Sequence, residues 1–416
     1  MPWLPPCVVA LVILRLAAQQ ALEALNRREA RRNEMRPPAE LEEVMDATAY
    51  AKSVRYTVAK SRLGSVEAVY DGAVLLALLF SGALPWLWAR FDNLAPGAAW
   101  SGALFLVAAM ILLASLSLPL EWWSQFRLEE RFGFNKSTLG LWAVDHVKYA
   151  LLGLGIGFPL LWAVLALAAR IGPSWWVWGF ALLFLFQLLM IILYPKLILP
   201  LFNKLSPLPE GDQRRGLLAL SDRAGFRANT IDVMDGSRRS GHSNAFFTGF
   251  GRFRRIVLFD TLVAQLAPGE LEAVLAHEIG HYKCGHIPRS IALRALLQFG
   301  AFAAAAWLAR APWFNAAFGL PAGELAPTLL LLGLLGGLVT FWSVPAVNWL
   351  SRRYEFEADA FARGAIGSSA PMIGALRKLS KENLSNLTPH PIYSMVYYSH
   401  PTLVERERAL GQAPHN

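Results

Sequence analysis

The stretch from Leu271 to His286, LEAVLAHEIGHYKCGH, holds His277 and His281 four residues apart, with Glu278 directly after the first. On a helix, residues four apart share a face, so both imidazoles reach one metal ion while Glu278 reaches a water beside it. Neutral imidazoles suit zinc, and an open fourth position makes water a nucleophile at neutral pH. The pattern predicts one zinc per chain and attack on a peptide carbonyl, with Glu278 as general base.

Two histidines need a third protein ligand, and a glutamate completes the common set. The segment SRRYEFEADAFA, Ser351 to Ala362, offers Glu355 and Asp359 one helical turn apart. One of them can ligate while the other orients an imidazole from behind; Glu357 points away. Chain order selects this segment, because the histidine motif directly precedes one apolar run and SRRYEFEADAFA directly follows the next. Two antiparallel crossings return both to one membrane face. His286 lies five residues beyond His281, off the shared face, and reads as a solvated or interfacial histidine. His242, His390 and His400 have no ligand spacing.

The elements that must carry this motif belong to a membrane protein. The 416 residues are 55% hydrophobic and 17% charged, a balance soluble domains rarely show. The net charge of +9 does not point to nucleic acid, since the basic residues fall between apolar runs instead of along one polar face. Two cysteines, Cys7 and Cys284, exclude a disulfide framework and a cysteine zinc site. The N-terminal MPWLPPCVVALVIL has no basic start and no small-residue cleavage site, so it reads as a retained first span.

Seven segments approach the roughly 17 to 25 apolar residues a helical crossing needs. They run near Trp3–Leu22, Val66–Trp88, Ala99–Leu120, Tyr149–Ala169, Trp175–Leu199, Ile291–Leu308 and Leu325–Leu350. Arg15 interrupts the first and must snorkel or face a polar interior. Lysine and arginine crowd alternate connections: 26–65, the link with Arg127, Arg131, Lys136 and Lys148, and 202–289. The positive-inside rule places these links and the tail in the cytoplasm.

The expected organisation is a membrane region over 1–200, a first catalytic part over 201–290, two membrane helices over 291–350, and a second catalytic part over 351–416. Within the first catalytic part, GDQRRGLLALSDRAGF reads as a helix ending at Gly225 and TIDVMDG as a strand. NAFFTGFGRFRRIVLFD reads as a β-hairpin turning near Gly249–Gly251. A helix starts at Pro268, with Leu271, Val274 and Leu275 on its apolar face.

With these motifs in order, PLFNKLSPL, RRSGHSNAFFTGFGRFRRIVLFDTL, LAHEIGHYKCGH, SRRYEFEADAFA and YYSHPTLVERERAL, nearly the whole chain resembles the integral-membrane CAAX prenyl protease 1 family. The resemblance implies an all-α multi-pass membrane protein. Seven transmembrane helices would enclose a water-filled chamber, capped by a mostly helical zinc-protease domain with a small β-hairpin or sheet. It implies His277, His281 and Glu355 as zinc ligands, Glu278 and Asp359 as catalytic residues, His400 as a catalytic-cleft histidine, and Arg406 beside the site. Asn244 would contact substrate, and the strand that continues through Ala245 and Phe246 could take an extended peptide by strand addition. His400 could hydrogen-bond a developing oxyanion.

The implied partners are the bilayer and a peptide or protein substrate, lipidated in the CAAX reaction, with no nucleic acid. The Ala-, Leu- and Arg-rich composition suggests a bacterial inner membrane, where membrane-protein quality control is the alternative task; a eukaryotic chain would sit in the ER membrane. A channel or inactive scaffold is the rival from another class, suggested by Glu67, Asp71 and Glu121 near span ends. An intact HExxH with a remote glutamate argues against it. Site-2-type proteases place the motif inside a span, whereas Lys283, His286 and Arg289 flank it here. HtpX-like relatives have fewer spans.

Overall fold

Long apolar runs become long helices, and six helical runs among the described residues are long and apolar enough to cross a membrane. The computed structural model describes residues 1–412 except 33, 35, 36, 39, 40, 227–229 and 249–254. The runs are Leu4–Arg32, Ala47–Phe80, Ala99–Phe132, Leu139–Phe202, His286–Ala309 and Leu325–Ile366. The second starts cleanly because the Asp46 carboxylate accepts from the Ala49 backbone N–H at 2.9 Å.

Three predicted spans change shape. The second ends at Phe80 instead of Trp88, because Gly82 takes a left-handed φ of 80° and opens a separate helix, Ala83–Asp92. The predicted fourth and fifth spans are legs of the single 64-residue run Leu139–Phe202. Straight, it would measure about 96 Å, some three times a ~30 Å hydrocarbon core. It bends at the 3₁₀ turn Gly172–Ser174, with Gly172 at φ 71°, and the legs Phe158–Ile171 and Trp175–Leu193 pack together. Seven separate helices are thus six continuous runs, one of them a hairpin.

Apolar side chains from several spans close one cluster, which includes Val12, Leu79, Phe105 and Leu331. Arg15 turns into the helix bundle. It lines a cavity of about 290 Å³ with Gln19 and Asp71, and its guanidinium lies 5.6 Å from the Phe341 ring centroid.

The polar residues after Phe202 build a four-stranded sheet of β1 (Leu205–Pro207), β2 (Thr230–Met234), β3 (Ala245–Thr248) and β4 (Arg255–Phe259). Its order is β1-β2-β4-β3, with β2 and β4 parallel and the outer pairs antiparallel. The expected hairpin is therefore β3–β4 within a larger mixed sheet; its turn at Gly249–Gly251 lies outside the described residues. The expected helix before β2 is Asp212–Arg223, with Gly225 at φ 60°. Leu217, Ile231, Ile256, Leu271, Ile279 and Ala362 form the core that holds sheet and catalytic helices together.

Candidate metal centre

The motif helix spans Pro268–Lys283, with Pro268 at its first turn and the Glu270 carboxylate accepting from the Ala267 N–H at 2.7 Å. Leu271, Leu275 and Ile279 on its inner face are 0–2% exposed, which fixes its rotation. The sixth run passes through a short 3₁₀ turn at Phe341–Ser343 into the helix Val344–Ile366, so the EFEAD segment lies toward the polar end of a run long enough to span a membrane. The two helices touch where both sequences are small: a Cβ on Gly280 would lie 3.0 Å from the Ala358 Cα.

That crossing brings His277, His281 and Glu355 together, with one donor atom from each inside a 4.8 Å group. The two Nε2 atoms are 3.2 Å apart, His277 Nε2 is 3.4 Å from Glu355 Oε2, and His281 Nε2 is 3.3 Å from Glu355 Oε1. Donors held about 2.0–2.1 Å from a tetrahedral metal sit about 3.3–3.4 Å from one another. Glu355 Oε2 is buried with only two loose neighbours, His277 Nε2 at 3.4 Å and Arg406 Nη1 at 3.7 Å, which leaves a lone pair turned toward the space between the donors. The residues fit a metal.

Behind the first imidazole, His277 Nδ1 is 2.8 Å from Asp359 Oδ1. Asp359 in turn accepts from Arg406, from Nε at 2.8 Å and Nη2 at 2.5 Å, and all three side chains are buried. A metal on His277 Nε2 requires the proton on Nδ1, donated to Asp359. The 3.3 Å approach of Arg406 Nη2 to that same Nδ1 is then a contact between two donors sharing one carboxylate.

His286 is a correction. It is 3% exposed, neither solvated nor interfacial, and its Nδ1 lies 3.0 Å from His281 Nδ1. Its Nε2 lies 3.0 Å from Glu357 Oε2, and its ring stacks on Tyr354 with centroids 4.2 Å apart. With metal on His281 Nε2, one proton order satisfies every contact: His281 Nδ1–H donates to His286 Nδ1, and His286 Nε2–H donates to Glu357. Glu357 points away from the metal ligands yet is tied to them through this ring. The five-residue spacing misled because the helix stops at Lys283: Gly285, at φ 72°, turns the chain and His286 begins the next helix. The Cys-Gly pair before His286 was the readable signal of that stop.

Burial pushes the Glu278 carboxyl above the ordinary carboxylate range, against the pull of His277 and His281. Burial acts against charge on His277, but its hydrogen bonds to Asp359 and Glu355 prevail and push the metal-free ring up to about 9. His400 reaches the cluster, its Nε2 3.4 Å from Glu355 Oε1. It also borders a cavity of about 640 Å³ lined by Glu23, Lys60, Tyr393 and Tyr397. Asn244, Ala245 and Phe246 lie at the start of β3 on the sheet edge; no hydrogen bond or ion pair among the described residues joins them to the ligands. Asn244 accepts from the Ala245 N–H, and Phe246 packs with Met234 and Val257.

The sequence model described as CAAX prenyl protease N-terminal, five membrane helices, matches residues 26–204, and that of peptidase family M48 matches 207–413. The CAAX prenyl protease 1 homolog of Arabidopsis thaliana is 35% identical over 391 residues, covering 90% of each chain. The chain belongs to the CAAX prenyl protease 1 family, within peptidase family M48. The Saccharomyces cerevisiae CAAX prenyl protease 1 is 35% identical over 406 residues, 91% of this chain and 89% of its own. The crystal structure of S. mikatae Ste24p superposes with a TM-score of 0.89 at 32% identity, covering 99% of both chains. The M48 membership makes this chain a membrane metallopeptidase, and a channel or inactive scaffold is set aside.

Proposed function

We propose that this chain is a zinc endopeptidase that removes C-terminal residues from lipidated CAAX proteins, or processes other membrane-associated polypeptides in the same cleft. The proximity of His277, His281 and Glu355 carries this reading, because a nitrogen-rich, one-carboxylate donor set at these spacings suits zinc. When bound, zinc supplies Lewis-acid polarisation and lowers the pKa of water to near neutrality. The substrate class comes from relatives named CAAX prenyl protease 1.

In this reading Glu278 takes the proton of the attacking water and passes it to the leaving amine. Its raised proton affinity suits that transfer, since a base works best with a pKa near the working pH. Asp359 and Arg406 hold His277 in one tautomer. His400, beside Glu355, donates to the carbonyl oxygen as negative charge develops there. The open edge of β3, with Asn244, Ala245 and Phe246, receives an extended substrate as a further strand. The four-part division at 200, 290 and 350 follows the chain's passage between membrane and catalytic segments. The basic alternation supports a cytoplasmic catalytic face, and the Ala-, Leu- and Arg-rich composition supports a bacterial inner membrane, with the ER membrane the alternative for a eukaryotic chain.

Glu278→Gln preserves shape and removes basicity. Zinc should stay near one equivalent per chain while cleavage of a prenylated CAAX peptide in liposomes falls at least about 100-fold. His281→Ala should lose zinc and activity together. Wild-type rates from Glu278→Gln would end the proposed proton transfer. Zinc-loaded wild type inactive on prenylated, unprenylated and membrane-anchored peptides would end the substrate reading.

A further inference from the structure

We propose that a cleft at the junction of the Leu139–Phe202 hairpin and the sheet binds the headgroup of an anionic phospholipid. Both ends of the hairpin return to this place, the first turns near Thr138 and the last residues near Phe202. There they meet β1 and the loop after β2 around a cleft of about 820 Å³. Six cationic side chains line it: Lys148, Lys196, Lys204, Arg238, Arg239 and Arg255. No carboxylate lines it among the described residues.

The nearby acids offset only part of this charge. Asp145, behind the wall, accepts from Arg239 at 2.8 and 3.1 Å and lies 3.8 Å from Lys148. Asp232 lies 3.6 Å from Arg255, and Asp235 is engaged by the Lys204 backbone N–H at 2.7 Å. The guanidinium of Arg239 is held rigidly, its third contact being Asn203 Oδ1 at 3.2 Å. Arg238, Lys204 and Lys196 are exposed on the rim. Arg238 and Lys204 add positive potential at the mouth of the cleft, which favours an anion entering it.

The anion is attached to lipid because the same cleft opens onto apolar surface. Val144 and Leu201 line it and are 50% and 47% exposed, and Leu197 beside them is 57% exposed. Tyr149 stacks on Phe202 with centroids 4.6 Å apart, and Lys148 Nζ lies 5.5 Å from that ring, the aromatic and basic pairing of a headgroup layer. A phosphodiester meets the cations while its acyl chains follow the exposed leucines down the hairpin, which a free phosphate cannot do.

The site also has a route to the catalytic domain. From Arg239 the chain passes through Ser240, bridged to Asn135, and Gly241, whose N–H donates to Phe134 O at 2.9 Å, and reaches Asn244 and β3. A bound headgroup therefore ties the membrane hairpin to the loop that leads into the edge strand.

The test uses the purified full chain in detergent with equal phosphatidylcholine and phosphatidylglycerol, read by intact-complex mass spectrometry. Retained lipid should favour phosphatidylglycerol at least about tenfold. A Lys196→Gln, Lys204→Gln, Arg238→Gln triple variant should lose that preference with its melting temperature in phosphatidylcholine unchanged. An Arg28→Gln, Arg31→Gln, Arg32→Gln triple should keep it. Arg238→Gln alone, a single exposed change, should weaken the preference and guards against a misfolded triple. No preference in wild type, an unaffected preference in the cleft variants, or an equal loss in the control triple overturns the proposal. Displacement of the lipid by millimolar inorganic phosphate would overturn the lipid assignment in favour of a free-anion site.

Discussion

Gly280 and Ala358 are the point at which the two catalytic helices touch, so close that a Cβ on Gly280 would sit 3.0 Å from both the Cα and the carbonyl oxygen of Ala358. Ala358 is fully buried, and its backbone cannot swing aside as a flexible side chain would. The distance between histidines and glutamate is therefore set by two residues that carry no chemistry.

Gly280→Ala should push the helices apart by a few tenths of an ångström or strain the core, at about 1–3 kcal/mol. The expected result is a lower melting temperature and faster loss of metal to a chelator, both measured in detergent. Unchanged values would show that the crossing yields without disturbing Glu355.

His286 should matter to the metal although it does not touch it. Removing a partner that orients a ligating imidazole typically costs about 10–100-fold in metal affinity. His286→Ala should fall in that range by competition with a chromogenic chelator. His286→Phe keeps the stacking on Tyr354 but not the hydrogen bonds, and should lose nearly as much. Glu357→Ala, one contact further out, should lose less than either, and Glu355→Ala more than all three. An unchanged affinity in both His286 variants would make the buried ring a packing element only.

Zinc binding should weaken as pH falls. The metal-free His277 ring is raised from 6.5 to about 9, so below that pH the site holds a proton that the metal must displace. For that one proton, apparent affinity should drop about 100-fold between pH 8 and pH 6. Isothermal titration in buffers of different ionisation enthalpy would count the proton released; a flat pH profile would contradict its presence.

The orientation has its own test. A reporter fused after the last residue should report cytoplasm, and one inserted near Asn93 the opposite side. The reverse result would move the catalytic face to the other compartment.

The local pattern of the chain was enough to find the chemistry. HExxH on an amphipathic helix defines a shared face through the 3.6-residue period alone, and apolar run lengths against bilayer thickness define crossings. Chain order then brought Glu355 and Asp359 to the same membrane face, but the spacing of those two left open which of them ligates. Tertiary structure distinguishes them: Asp359 meets the outer nitrogen of His277 and the guanidinium of Arg406, while Glu355 faces the inner nitrogens of both histidines. Arg406 lies 47 residues beyond Asp359, and no local period links them.

His286 was misplaced for a related reason. Helical periodicity extrapolates only while the helix lasts, and a left-handed Gly285 resets the direction of every side chain after it. The basic cleft was invisible in the same way, because its cations come from both ends of a 64-residue hairpin, from the segments before β1 and after β2, and from β4. Sequence fixes what each segment can do alone through side-chain type and period; which segments face one another depends on where glycines turn the chain and how closely small residues let helices approach.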